Sequence, residues 1–124
     1  IKRNRRKNFN YFIGRIFSIF HKSQKKPFLY PSIVEKIKNC KSKEIYIKNG
    51  NSIRDFSNAE KIIKIFLKVY KKKINGVYNI GSGTGTSIKN FIYKNISRKK
   101  IVYSNDKINI SIANINKIKN KLIQ

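Results

Sequence analysis

The chain has 124 residues, 40% of them hydrophobic, enough for one domain with a single core of modest size and too little to suggest two. Its 30 Lys and Arg residues against 5 Asp and Glu give a formal charge of +25, an excess that suits a polyanion partner and keeps a basic nucleic-acid-binding module open as a function. The single cysteine, Cys40, excludes an internal disulfide, no cluster of His and Cys offers a metal site, and the expected location is the reducing cytoplasm.

Isoleucine heavily outnumbers leucine, lysine exceeds arginine, asparagine is abundant and alanine is nearly absent. These residues share A- and T-rich codons, so much of the charge is expected to record base composition. The lysines are also spread between apolar residues, as on solvated helix faces, and not gathered on one element. What remains is weak, salt-sensitive, nonspecific binding to any polyanion. Residues 11–20 are too few to cross a bilayer and carry Arg15 in their middle, so no membrane partner is expected. No small-residue cleavage site follows the basic residues 1–8, which leaves a signal or transit peptide as the weaker reading. With no initiator methionine before Ile1, the chain is expected to be a piece of something longer.

In chain order, residues 9–20 read as a buried strand followed by a loop, being dense in aromatic and β-branched residues. Residues 21–27 are loop, and a helix of about ten residues starts at Pro31, with Ile33, Val34 and Ile37 on one face and Cys40 continuing it. Residues 44–48 alternate as a short strand, closed by the turn Asn49-Gly50-Asn51. Ser57 and Glu60 form a capping box for a helix over residues 57–73 whose apolar stripe is Ala59, Ile62, Ile63, Phe66, Leu67 and Tyr70. Lys71, Lys72 and Lys73 suit its carboxyl end, with Gly76 beyond. Residues 77–80 form a strand and residues 81–85 a glycine-rich turn. Thr86 or Ser87 then caps a helix carrying Ile88, Phe91 and Ile92. Residues 101–103 return as strand, and a last helix carries Ile112, Ile115, Ile118 and Leu122. Strands alternating with helices make the layout α/β.

A strand, Gly81-Ser82-Gly83-Thr84-Gly85 and a helix together suit an anion, because glycines let backbone amides approach a phosphate at a helix amino terminus. The turn is no P-loop: the lysine and hydroxyl expected after the final glycine are missing, and Thr86 replaces the last glycine of the dinucleotide fingerprint. Residues 79–85 also resemble the first motif of S-adenosylmethionine-dependent methyltransferases, with Asp106 ending the next strand as a ribose-binding acid. Asn79 replaces the acid usual in that motif, and too little chain follows to complete that fold, which stays open as a methyltransferase fragment.

Several spaced motifs read together point elsewhere. Gly50-Asn51-Ser52-Ile53-Arg54-Asp55-Phe56, then a helix, then Asn75-Gly76-Val77-Tyr78-Asn79-Ile80-Gly81-Ser82-Gly83 and Thr86-Ser87-Ile88, resemble the carboxyl-terminal half of the extended short-chain dehydrogenases. Gly14-Arg15-Ile16-Phe17-Ser18 is similar to that family's strand ending in Arg-x-Phe-Asn, residues 27–38 to its proline-containing loop and helix, and residues 111–119 to its terminal Asp-x-x-Lys helix. The resemblance implies a Rossmann-type α/β fold of which residues 9–124 are the carboxyl-terminal, substrate-binding part, preceded by a basic stub over residues 1–8.

By that resemblance the chain is a fragment of an NAD(P)-dependent nucleotide-sugar epimerase, dehydratase or reductase. Its implied partners are a nucleoside-diphosphate sugar, the missing amino-terminal cofactor-binding half and, in the parent, a second copy in a homodimer. NAD or NADP belongs to the parent and is not bound by this chain alone, since the glycine fingerprint and the catalytic Tyr-x-x-x-Lys helix precede the region covered. The chain alone is therefore expected to carry no catalytic residue.

Three substrate-binding residues follow. Arg54 stands where the family's arginine contacts the diphosphate, a role suited to a planar guanidinium that can grip two phosphate oxygens. Ser18 takes the place of the asparagine that bonds the substrate nearby, with shorter reach. Tyr46 lies on the strand that packs the nucleotide base. Asp55 is expected to brace loop backbone or Arg54. Asn58-Ala59-Glu60 and Asn114 depart from the family's acidic positions, which puts substrate identity in doubt. Tyr103 and Lys107 share the spacing of the catalytic pair, but with 7 tyrosines such a pair is expected by chance, and on a strand and turn they do not share a helical face. His21 reads as a loop residue, not a general base.

Overall fold

A computed structural model describes residues 10–41, 44–97, 101–104 and 107–123. The elements in order are β1 (Phe12–Ile16), β2 (Ser18–Phe20), α1 (Leu29–Asn39), β3 (Ile45–Lys48), β4 (Ile53–Arg54), β5 (Phe56–Asn58) and α2 (Ala59–Lys71). There follow β6 (Gly76–Ile80), β7 (Thr86–Ser87), α3 (Ile88–Asn95), β8 (Ile101–Ser104), β9 (Ile110–Ser111) and α4 (Asn116–Ile123). Parallel pairs dominate: β1 with β6, β2 with β5, β3 with β8 and β4 with β9, while β7 adds antiparallel to β4. Parallel neighbours need crossovers, and helices supply them, so the α/β class expected from the alternation is the class observed.

The single buried strand expected over residues 9–20 is in fact two strands of half-buried and exposed residues. At Phe17 the chain changes partners: its N–H still donates to the Ile80 carbonyl at 3.1 Å, at the end of β6, and Ser18 then pairs with Phe56 of β5. β3 follows its alternation, with Ile45 and Ile47 buried and Tyr46 and Lys48 exposed. The first helix starts at Leu29, two residues before Pro31, which sits within the first turn where a missing N–H is tolerated.

α2 departs from expectation in two respects. Its amino-terminal cap is Asn58, whose side-chain oxygen accepts from Glu60 N–H at 2.8 Å; Ser57 is buried in β5, its hydroxyl turned to Asp55. The inward face is Ile62 and Val69 with Ile65 and Phe66 half-buried, whereas Ile63, Leu67 and Tyr70 are 57%, 54% and 82% exposed. Burial of Ile62 is as expected; burial of Ile63 is not. Neighbours on a helix lie about 100° apart, and the sheet beneath takes only the arc centred on Ile62.

α3 is capped by Ser87, whose hydroxyl accepts from Asn90 N–H at 3.3 Å, and it buries Ile88, Phe91 and Ile92 as its spacing requires. The last helix begins only at Asn116, so Ile112 and Ile115 belong to the extended segment before it; Ile115 is buried and Ile112 exposed.

Among the described residues two apolar clusters result. One joins Ile62, Val69, Tyr78, Ile80, Ala113, Ile115 and Ile118 beneath α2 and α4; the other joins Ile33, Ile45, Ile47, Ile88 and Ile92 between α1, β3 and α3. Each fully buried isoleucine contributes roughly 1.5–3 kcal/mol. Gly14 lets α2 approach β1, for a Cβ there would stand 2.7 Å from the Phe66 ring. The short sheet β7-β4-β9 carries Arg54 and Asp55 at the carboxyl ends of the parallel strands, the end at which open α/β sheets hold ligands.

Candidate functional site

Arg54 ends β4 between Thr86 of β7 and Ser111 of β9. Its Nη1 donates to the carbonyls of Asn109 at 3.0 Å and Ile53 at 3.2 Å, and a guanidinium with five donors keeps others for a ligand. Arg54, Ser18, Asn109 and Ser111 border an open cleft of about 590 Å³ floored by Ile16 and Phe17. Arg54 and Ser18 also border a second cavity, of about 340 Å³, walled by Phe20, Tyr30, Phe56 and Phe91. The rings of Phe56 and Phe91 stack there with centroids 3.9 Å apart.

Two of the three residues nominated from the sequence thus meet in one place. Tyr46 stands apart: it is 59% exposed on the outer face of β3 and lines neither cavity. Its hydroxyl donates to the Glu44 carboxylate at 2.7 Å, and this hydrogen bond, with the charge of Glu44, raises its pKa.

Asp55 faces the other way from Arg54 and is fully buried. One carboxylate oxygen accepts from Ser82 N–H at 2.7 Å, the Ser82 hydroxyl at 2.6 Å and the Ser57 hydroxyl at 3.5 Å. The other accepts from Gly83 N–H at 2.9 Å and Ala113 N–H at 3.2 Å. Burial is the largest single influence on this group and pushes its pKa up, but the bonds from Ser82, Gly83 and Ala113 together outweigh it and hold the carboxyl below its ordinary value.

The glycine-rich turn is therefore an anion nest filled by the protein's own carboxylate. A Cβ at Gly81 would lie 2.6 Å from the Asp55 oxygen, so the turn closes on Asp55 with no room for a side chain. This arrangement gives no support to a phosphate or S-adenosylmethionine site at the turn; Asp106, the acid that the methyltransferase reading required, lies outside the described residues.

Tyr103 lies on β8, partly buried, and burial raises its pKa. Lys107 follows in a loop whose backbone N–H donates to Asn49 at 3.4 Å, so the two share no helical face. His21 is a loop residue, its Nδ1 accepting from Ser23 N–H at 3.1 Å. Among the described residues no three His, Cys, Asp or Glu side chains come together as a metal site, and no helix is long and apolar enough to cross a membrane. Asn109 and Ser111, about half the chain away from Arg54, were not legible as cleft residues: only the β4–β9 pairing brings them there.

The chain matches the family described as GDP-mannose 4,6-dehydratase over residues 2–123. No curated protein matches it. Among solved structures it is similar to a UDP-N-acetylglucosamine 4-epimerase from Methanobrevibacter ruminantium in complex with UDP-N-acetylmuramic acid, at 25% identity and a TM-score of 0.70, with 90% of this chain covering 39% of that one. A UDP-glucose 4-epimerase from Thermotoga maritima with UDP-glucose gives 22% identity and a TM-score of 0.69, covering 91% and 40%. A dTDP-glucose 4,6-dehydratase from Bacillus anthracis in complex with NAD gives 21% and 0.67, covering 91% and 38%. The chain thus spans about two fifths of the length of these relatives. With the family matched over nearly all of its residues and the fold shared with these enzymes, the chain belongs to the GDP-mannose 4,6-dehydratase family, among the NAD-dependent epimerases and dehydratases of the extended short-chain dehydrogenase type.

Proposed function

We propose that this chain is the nucleotide-sugar-binding part of an NAD(P)-dependent nucleotide-sugar epimerase, dehydratase or reductase. The observation that carries the reading is Arg54, set with Ser18 between an open polar cleft and an aromatic cavity. A diphosphate in the cleft would take the remaining guanidinium donors in a charge-assisted, bidentate contact, with the Ser18 hydroxyl beside it. The aromatic cavity suits a flat or apolar ring carried by the same ligand. Tyr46 is retained as a contact for the base, reached by a ligand that extends to the outer face of β3. Similar enzymes captured with UDP-glucose and with UDP-N-acetylmuramic acid support this ligand class.

The dinucleotide cofactor is assigned to the other half of the enzyme. The glycine turn over residues 81–85 does not fit its pyrophosphate, because Asp55 occupies the amides that would hold it. Hydride chemistry is accordingly assigned outside this chain, and the proposed setting is the cytoplasm.

The edge of β1 supports a covering partner. Among the described residues β1 pairs only with β6, and Ile13 and Ile16 on it are 44% and 45% exposed, whereas parallel strands are normally buried on both faces and a two-stranded ribbon is marginal alone. The cofactor-binding half, adding a strand beside β1, would bury them.

Calorimetric titration with UDP-glucose tests the site. Arg54→Ala should weaken binding at least tenfold, as expected for a contact worth about 1.5–3 kcal/mol. Lys64→Ala, on the solvent side of α2, should stay within about twofold because remote surface charge is largely screened at ~0.15 M salt. Equal losses would mean that the +25 charge and not a site holds the phosphates.

A further inference from the structure

Arg54 owes its position to a residue that faces away from the cleft. On both sides of it, backbone bonds fasten β4 to the opposite wall: Ile53 N–H donates to Asn109 O at 2.9 Å and Asp55 N–H to Ser111 O at 2.9 Å. The Asp55 carboxylate then reaches past Ser111 to Ala113 N–H, and in the same grip takes Ser82 and Gly83 from the turn after β6. Three segments separated by up to 58 positions are thereby tied at one buried point. The Asn109 carbonyl that receives Arg54 Nη1 belongs to the wall so fastened.

We propose that Asp55 is the positioning residue of the Arg54 cleft. It is an internal anion, seated in the glycine nest, that fixes the β4–β9 wall and so aims the free guanidinium donors at a ligand it never touches. This rests on the reading of the cleft as a nucleotide-sugar site only for its ligand; the clamp itself is a property of the chain.

Asp55→Asn is the informative change, since it keeps the size but turns an NH2 toward backbone N–H donors. Hydrogen exchange at residues 82, 83 and 110–113 should accelerate at least tenfold, while Phe91 and Ile92 of α3 stay protected. The Arg54 Nε–Hε resonance should shift or broaden, and UDP-glucose affinity should fall at least tenfold. Ile118→Val, destabilising through the core of α4, should leave the resonance in place and affinity within twofold, which separates positioning from loss of stability. Should the Asn variant fail to fold, Ser82→Ala removes the 2.6 Å hydroxyl bond to Asp55, with the hydroxyl's local bonds to Thr84, but keeps the carboxylate and its three backbone donors, and should give the same changes in smaller measure, about two- to fivefold. An unmoved Arg54 resonance in either folded variant, or a moved resonance with unchanged affinity, overturns the proposal. If the wild-type chain does not bind UDP-glucose at all, the ligand reading is lost, and the Arg54 resonance alone decides the clamp.

Discussion

Around Asp55 five hydrogen-bond donors from separate segments converge on one carboxylate, and among the described residues no buried side-chain polar atom lacks a partner. Around β1 the reverse holds: among the described residues β1 and β6 form a ribbon of only two parallel strands, with Ile13 and Ile16 partly open to solvent and the apolar Ile63, Leu67 and Tyr70 exposed on α2. The first region is finished within the chain; the second has the chemistry of an interior without its cover. Hydrogen bonding is thus complete in the first region while apolar burial in the second is not, and substitutions in the two regions should behave differently.

The largest effect is expected at Asp55. Asp55→Ala strands the N–H groups of Ser82, Gly83 and Ala113, and with about 1–3 kcal/mol for each buried unpaired donor the loss should reach about 3–5 kcal/mol in urea denaturation. That is a large share of the 5–15 kcal/mol typical of a whole domain. Acid should do the same to the wild type. The folded pKa of Asp55 lies below its unfolded value of about 3.9, so its contribution is complete above that pH and is lost as pH falls through the depressed folded value. Stability of the Ala variant should be flatter over that acid window, and parallel curves would remove Asp55 as the titrating lock.

Next comes the helix whose two sides divide the regions. Ile62 is 3% exposed in the main cluster and Ile63 57%. Ile62→Ala should cost about 2–4 kcal/mol through lost transfer energy and a residual cavity. Ile63→Ala should stay within about 0.5 kcal/mol in the isolated chain. Equal costs would mean that Ile63 is already covered.

What could be read from the sequence divides along the same line. The α/β class, β3, α3 and the pairing of Arg54 with Ser18 followed from local alternation, a capping serine and spaced motifs, all of which act over a few residues or copy a family pattern. The split of residues 12–20 at Phe17 did not, because it depends on which distant strand each half meets. The cap at Asn58 is not legible from the capping-box spacing, since Asp55 recruits Ser57, an attraction set by the fold and not by neighbours in sequence. The apolar stripe of α2 is wider than its buried face because helical spacing alone does not tell which apolar residues meet the sheet, and a helix over a two-stranded ribbon can bury only a narrow arc. Tyr46 rests on the family resemblance alone, and its outward place on β3 reflects the alternation that buries Ile45 and Ile47.

The smallest expected change in stability is also the sharpest probe of the unfinished side. Ile63, Leu67 and Tyr70 follow i, i+4 and i+7 spacing, and at about 100° per residue they lie beyond Phe66, on the side of α2 away from Ile62 and Val69. Phe66 itself packs edge-on against Phe12 of β1, with ring centroids 5.4 Å apart, so the stripe lies to one side of the contact between α2 and β1. A strand added beside β1 and joined to it by a right-handed crossover would bring its helix to the same face as α2, against this stripe. Leu67 is 54% exposed, enough for a lysine to reach water, so Leu67→Lys should leave urea stability within about 0.5 kcal/mol. Its effect should appear in association. Exposed apolar area favours contact between copies, while a charge of +25 opposes it, so sedimentation velocity should show wild-type self-association growing as salt rises and screens the charge. The sign is opposite to that of polyanion binding, which weakens with salt. Leu67→Lys should remain monomeric across the same series, and a wild type that is monomeric at every salt concentration would show the stripe to be ordinary surface.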